Sequence, residues 1–539
     1  MTAIITRSWI TLAGLVIAVA IAAGGCDSSA PYQPPTAAVN GGALPATAPV
    51  VDDAVQAPAG PGETAAAKPA GDHAENKAAT DPALDRPEYF VGWPKPKLAL
   101  VISGRQDGYL EPCGCAGLEN QKGGLSRRHA FFKQLAEHGW PVAAVDVGDQ
   151  VRRFGPQAEV QFTLVADALK TMGYGAVGLG KPDLRLSAGH VLSSIAGDDP
   201  QDAIFVSANV SLFGLTPKVR IIEAGGMKLG ITSVLGKQFQ EQVNNDEVEI
   251  RPAAEALREV LPQLETCDVR VLLSNGTLEE TQALAKEFPQ FTLVVTAEGG
   301  DEPPPQPATI NGTKSRLIEV GHKGMYVVVV GFYDDPKEPL RFQRVALDAR
   351  FPDTPEMKHL MVTYQDQLQQ LGWDGLGIRA VPHPRSRPAD PLAGKFVGSA
   401  KCQECHEAAW DVWSNSKHAH ATQTLVDLDP PRQFDAECIS CHATGWSPQE
   451  FFPYASGYEA LDKTPHLVGN GCENCHGPGA AHIAAEEGGT DEKQRDALRA
   501  QLHLTWDAAK TDMCTKCHDL DNSPEFGGKV DHYWSEIAH

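Results

Sequence analysis

Four copies of one pentapeptide fall in the last quarter of this chain: Cys402-Gln-Glu-Cys405-His406, Cys438-Ile-Ser-Cys441-His442, Cys472-Glu-Asn-Cys475-His476 and Cys514-Thr-Lys-Cys517-His518. Cys-x-x-Cys-His is the attachment signal for c-type haem. Each thiol adds to one porphyrin vinyl, the two intervening residues set the spacing, and the histidine lies under the iron as its proximal ligand. Two Cys-x-x-Cys pairs can also build a tetrahedral zinc site, but zinc needs no histidine directly after every second cysteine. The pattern therefore assigns Cys402, Cys405, Cys438, Cys441, Cys472, Cys475, Cys514 and Cys517 to four covalent haem c groups, and His406, His442, His476 and His518 to their irons. Leu, Ile and Val are sparse here. The porphyrins are expected to supply much of the core, with Trp410, Trp413, Trp446, Phe451, Phe452 and Trp534 packing on them.

The flanking sequences FVGSAKCQECHEAAWDVWSNSKHAHA, CISCHATGW, GCENCHGPGAAH and CTKCHDLDNSPEF resemble the tetrahaem domain of the cytochrome c-554/c-prime family, from about Phe396 to His539. The resemblance implies a mainly α multihaem domain with closely stacked haems passing electrons singly. It also implies two histidine ligands on most irons and an open iron at the second motif, on His442. Eleven histidines lie between Phe396 and His539, and four are proximal, leaving seven for distal coordination. His418, in SKHAHA, matches the family's distal position; His482 and His539 are the next choices. His420, His466, His503 and His532 are read mainly as solvent-exposed, although His420 or His466 would be available to close the open iron.

Residues 1–26 read as an export signal, with Arg7 as the positive flank and a run from Trp9 to Ala23 too short to span a bilayer. The run ends Ala23-Gly24-Gly25-Cys26, which resembles a bacterial lipobox with lipid on Cys26; an ordinary secretory signal is the alternative. Residues 27–94 are rich in Ala, Pro, Gly and Thr and cannot bury enough surface to offset ordering entropy. They are expected to form a disordered tether spanning on the order of 45 Å. The reading places the protein on the periplasmic side of a bacterial membrane, with the cell exterior as the alternative.

From 95 to 350 apolar runs alternate with amphipathic segments. The runs predict strands at Leu98–Ile102, Val142–Val147, Ala203–Val206, Leu229–Val234, Val269–Leu273, Thr292–Val295 and Tyr326–Phe332. Helices are predicted at Ser126–His138, Val160–Met172, Ala253–Glu265 and Leu278–Phe288. The expected fold class is α/β, a sheet covered on its faces by helices. The succession DGYLEPCGC, VAAVDVGD, MGYGAVGLGKPD, FVSANV, GGMKLGITSV, DVRVLLSNG and SRLIEVGHKGMYV resembles the strand ends of 5'-nucleotidase-type calcineurin-like metallophosphatases. Working members of that family hold two metal ions that clamp phosphate and activate water.

Most of the family's ligand positions are replaced here. Its Asp-x-His reads Arg105-Gln106-Asp107, its Gly-Asn-His-Glu reads Gly180-Lys181-Pro182-Asp183, a later histidine reads Asn275, and its Gly-His-x-His reads Ala297-Glu298-Gly299-Gly300. Arg105 has no lone pair for a metal, and Asp149 alone clearly survives. The expectation is a phosphatase fold without phosphatase chemistry; a relocated single-metal site on Asp107, Asp149 and Asp183 is the alternative.

Three cysteines remain: Cys113, Cys115 and Cys267. Cys113-Gly114-Cys115 reads as a redox pair or soft-metal ligand pair, with a structural turn as the alternative. Cys267 reads as a buried core thiol. Residues 351–395 read as a linker with one helix, Pro355–Leu371, and a Pro/Arg-rich connection.

The chain carries a net charge of −23, and residues 396–539 hold 10 basic against 23 acidic residues. An acidic surface excludes nucleic acid and favours a redox partner protein with a basic docking face. The leading reading is an exported, membrane-tethered electron-transfer cytochrome whose front domain serves binding or docking. A haem oxidoreductase acting on a small nitrogen or sulfur compound, or a bifunctional protein that still hydrolyses phosphoesters, are the alternatives.

Overall fold

The run Leu98-Ala-Leu-Val-Ile-Ser103 is buried at every position, and its alternate residues enter different cores. Leu98, Leu100 and Ile102 point into one, Ala99 and Val101 into another, as the period of two along a strand requires. The computed structural model describes residues 88–113, 120–196 and 203–539. The export signal with Cys26, the tether before residue 88, and Cys115 lie outside the described residues. The described residues form one compact unit.

The front region supplies β1 (Leu98–Ser103), β2 (Val142–Asp146), β3 (Ala176–Val177), β4 (Val210–Leu212), β5 (Arg220–Ala224), β6 (Met227–Leu235), β7 (Val248–Ile250), β8 (Val269–Asn275), β9 (Leu293–Thr296), β10 (Ala308–Thr309), β11 (Arg316–Glu319), β12 (Tyr326–Phe332) and β13 (Leu340–Ala346). They form two main sheets, ordered β13-β12-β1-β2-β3 and β10-β11-β9-β8-β6-β5, with β4 and β7 as a separate pair. β1 runs parallel to β2 and antiparallel to β12, and β6, β8 and β9 are mutually parallel.

The helices are α1 (Leu125–Glu137), α2 (Pro156–Thr171), α3 (Ala188–Ile195), α4 (Lys237–Gln240), α5 (Ala253–Val260), α6 (Leu278–Glu287) and α7 (Pro355–Gly375). Pro156 at the first turn of α2 loses no hydrogen bond there. Thr277 and Glu280 close a reciprocal cap on α6.

The fold is α/β, but it is built from two sheets packed face to face. Their facing residues form one core, with Ile102, Val145, Ile231, Val271 and Val295 among its members. Helices α1, α2, α3 and α7 cover the outer face of the first sheet; α5 and α6 cover that of the second. A strand buried on both faces reads as an unbroken apolar run whether its far side meets a helix or another sheet, so sequence alone suggested one sheet. Ala203–Val206 is buried extended chain touching the sheet through a single bridge, Phe205 to Val177. β5, β11 and β13 are strands without the expected signal, because RIIEA and LRFQRVA carry charges on half-exposed faces.

Helix α7 does not lie between two bodies as a free connector. Met357, Tyr364 and Leu368 complete the core under α1 and α2. Farther along, Trp373 meets Trp446 edge-on at 5.0 Å. Beyond it the chain is short helices, including Ser399–Gln403, Glu407–Ser414, Ala421–Val426, Ala436–His442, Cys472–His476, Glu492–Leu502 and Phe526–Ser535. The buried protein core there is small: Phe396, Leu425, Ala436, Ile439, Ala443, Trp446, Tyr458 and Leu467. Trp446, expected on a porphyrin face, belongs to this core and donates Nε1–H to the Tyr458 carbonyl at 2.8 Å.

Candidate haem-binding site

Each Cys-x-x-Cys-His motif lies on a turn of helix, which turns both cysteines toward one side and the histidine after them. The second spans Ala436–His442 behind the cap Asp435, and the third is the helix Cys472–His476. The thiols of Cys402 and Cys472 are electrostatic neighbours, as are those of Cys441 and Cys517. The first motif thus neighbours the third, and the second neighbours the fourth. A cavity of about 440 Å³ is lined by Cys438, Cys441 and His442 of the second motif and by Cys514, Cys517 and His518 of the fourth.

The histidines test whether iron fits. A metal bound on both sides at about 2.0 Å, with about 1.1 Å from each nitrogen to its ring centre, holds two imidazole centres about 6.2 Å apart. His406 and His482 are 6.4 Å apart, His418 and His518 6.0 Å, and His476 and His539 5.8 Å. These spacings are too long for hydrogen bonds and fit an iron between the rings. No second imidazole is set against His442 among the described residues. His420, His466, His503 and His532 are exposed.

Four of these seven rings are anchored through Nδ1. Nδ1 of His442 meets the Ala421 carbonyl at 2.7 Å, Nδ1 of His476 the Leu502 carbonyl at 2.7 Å, and Nδ1 of His518 the Ser523 hydroxyl at 2.8 Å. Nδ1 of His539 meets the Ile537 carbonyl at 2.9 Å. A proton donated from Nδ1 leaves Nε2 as the lone-pair ligand. Burial lowers the pKa of His418, His442, His476, His482 and His518, favouring the neutral, ligating form.

Two residues that the motif alone does not flag fix the third attachment site. Glu473, a variable position of the pentapeptide, is buried, and its carboxylate accepts from the amides of Val397, Gly398 and Gly479. Arg385, from the Pro/Arg-rich connection, donates to the carbonyls of His476 at 2.8 Å and Gln501 at 3.0 Å.

The strand ends of the front region do not fit a two-metal centre. Both oxygens of the buried Asp183 are occupied by backbone amides: Gln150 at 2.8 Å and Val151 at 3.3 Å on one, Gly180 at 2.9 Å and Asp149 at 3.1 Å on the other. Asp107 accepts from the Lys323 amide at 3.1 Å and faces the Arg105 guanidinium at 4.0 Å. The Asp149 carboxyl is pushed up to about 7 by burial and by the charge of Asp107. A side chain at position 180 would strike Asp149 Oδ1, so Gly180 lets this loop close. Arg105, Asp107 and Asp149 hold φ of 50°, 51° and 62°, left-handed backbone kept at strand ends. No cluster of three or more His, Cys, Asp or Glu side chains able to hold a metal occurs among the described residues. His322 pairs with Asp301 at 2.9 Å, and Cys267 is buried in the core.

The front region grips the second motif. Asp435, which caps its helix, accepts from Gln157 Nε2 of α2 at 2.8 Å and from the Tyr364 hydroxyl of α7 at 3.4 Å. Burial, with the Glu437 charge, pushes its carboxyl up to about 6. Arg432 pairs with Glu111 at 2.8 Å, and Arg153 lies over the Phe451 ring at 3.5 Å.

Residues 401–477 match the family cytochrome c554 and c-prime. In this family haem c is bound covalently, in accord with the motifs. The chain is also 29% identical over 157 residues to cytochrome c-554 of Nitrosomonas europaea, covering 25% of this chain and 63% of that relative. Among solved structures it is similar to sulfate thiohydrolase SoxB of Thermus thermophilus, at TM-score 0.42 and 15% identity, covering 51% of this chain and 62% of that one. It is likewise similar to a 5'-nucleotidase precursor of Thermus thermophilus, at TM-score 0.42 and 18% identity, covering 60% and 68%. The NAD nucleotidase of Haemophilus influenzae gives 0.40 and 14%, covering 52% and 71%. No helix among the described residues is long and apolar enough to cross a membrane.

Proposed function

We propose that this protein is an exported tetrahaem c-type cytochrome that transfers electrons, tethered to the membrane through lipid on Cys26, with a front domain that docks and no longer hydrolyses phosphoesters. The observation that carries the reading is the set of three histidine pairs spaced for iron, His406/His482, His418/His518 and His476/His539. A haem held by two imidazoles has no site for substrate and moves one electron at a time. Axial imidazoles fixed through Nδ1 need little rearrangement when the iron changes charge. The acidic surface suits weak, salt-sensitive encounters with a basic redox partner on the periplasmic side of the membrane.

That no imidazole stands opposite His442 among the described residues favours a second reading: a small nitrogen or sulfur compound reaching one open iron. Carbon monoxide binding to the ferrous holoprotein separates the two. One equivalent per chain supports an open iron; none removes the second reading. For the front domain, a phosphoester assay with added divalent metal is expected to give no turnover. Turnover abolished by Asp149→Ala would overturn the docking role.

A further inference from the structure

At the seam between the front region and the haem-binding region lies a cavity of about 280 Å³. Among the described residues no histidine lines it, so it is not the cavity that holds His442 and His518. Asp435, Cys438 and Cys441 form one wall; Tyr364 and Gln365 of α7 form another. Asp435 caps the helix of the second motif, and its carbonyl accepts from the Cys438 amide at 3.1 Å. Asp435 is 8% exposed. Its carboxylate accepts only from neutral donors: Gln157 Nε2 at 2.8 Å, the Glu437 amide at 2.9 Å and the Tyr364 hydroxyl at 3.4 Å.

The cations around this carboxylate are committed elsewhere. Arg152 and Arg153, from the loop before α2, pair with Glu437 at 3.9 and 3.4 Å, and Arg432 pairs with Glu111 at 2.8 Å. Glu437 adds a second negative charge beside Asp435, and burial without a cationic partner disfavours an anion. Gln365, on the same cavity, is 3% exposed, and neither its Oε1 nor its Nε2 meets a partner among the described residues. Buried amides of this kind are satisfied by water, and a polar space of this volume admits several molecules at about 30 Å³ each. The cavity thus joins an uncompensated buried carboxylate to a source of protons, three residues before a haem-bearing cysteine.

We propose that Asp435 takes up a proton when the haem of the second motif gains an electron, so that the front region couples proton uptake to electron transfer; this rests on that motif carrying haem. One electron, from the redox partner, turns ferric iron ferrous. One O–H bond forms on the Asp435 carboxylate, with a proton drawn from solvent through the cavity. On reoxidation the electron leaves for the next acceptor, the O–H bond breaks, and the proton returns to solvent. Loss of one positive charge at the iron makes the nearby anion less favourable, which drives the uptake. Gln157 and Tyr364, both of the front region, hold the carboxylate in place for it.

The test is redox titration of the holoprotein at a series of pH values from about 5 to 9, with reduced-minus-oxidised infrared difference spectra at each. Two unit charges about 10 Å apart at an effective dielectric of about 20 alter an equilibrium by roughly tenfold. At a fixed potential the reduced-to-oxidised ratio of one haem is therefore expected to fall by about that factor as pH rises across the range. A protonated-carboxyl band is expected to appear on reduction. Asp435→Asn is expected to lose both the dependence and the band. Tyr364→Phe keeps the ring but removes one donor to the anion; it is expected to move the fall to higher pH, and it carries the test should Asp435→Asn fail to fold. Haem ratios that ignore pH in wild-type protein overturn the proposal. So does a dependence left intact by Asp435→Asn, as haem propionates would give, or one unmoved by Tyr364→Phe. A missing haem spectrum would instead strike the haem reading itself.

Discussion

Replacing His418 by alanine puts the pairing of the histidines under direct test. The two rings of His418 and His518 stand 6.0 Å apart, so removing one leaves the iron of the fourth motif with a single imidazole. Alanine is chosen because methionine could itself ligate the iron. Among the described residues three proximal histidines have a partner ring and one has none. Ferric holoprotein is therefore expected to hold one high-spin iron in four, and His418→Ala two in four, with carbon monoxide uptake by the ferrous form rising from one to two equivalents. His420 lies two residues away, but no proximal ring is set against it at the spacing of the three pairs, so His420→Ala is expected to leave both counts unchanged. Spin quantitation by electron paramagnetic resonance reads the difference. An unchanged count in His418→Ala, or a raised count in His420→Ala, would refute the assignment of axial ligands.

Other consequences concern stability. The Asp435 carboxyl is raised to about 6 by burial and by Glu437, so its charged form is disfavoured in the folded state. Its favourable contribution is full below about pH 4 and lost as pH rises through 6. Asp435→Asn is expected to flatten that dependence, removing a fall in stability on the order of 3 kcal/mol between pH 4 and 7 in chemical denaturation; an unaltered pH profile would contradict this. Chain produced without haem maturation is expected to keep the front region folded while residues 396–539 stay unfolded, because the apolar core there is so small. Hydrogen exchange checks this, and native-like protection across 396–539 would count against it.

The proposed haem-attachment positions stand out in the sequence because the chemistry they imply is local: a pentapeptide contains the whole instruction for attachment. Distal candidates were legible only as a ranked set, since the rings of His482, His418 and His539 stand against His406, His518 and His476 respectively, and such crossings depend on tertiary packing. The strands at the centre of the front region stood out as apolar runs, while β5 and β13, half-exposed and charged, did not. The second sheet was hidden for a different reason: burial against a sheet and burial against a helix leave the same residues in a strand. Departures from the resembled family's ligand pattern were visible position by position. The fate of Asp183, saturated by four amides, and the roles of Glu473 and Arg385 were not, because backbone partners leave no trace in side-chain sequence.

Intact mass of the mature protein tests the account at its root. Four thioether-bound porphyrins predict the polypeptide mass plus four haem increments that survive denaturation and acid. A mass showing no haem, or fewer than four, would contradict the count on which the electron pathway depends.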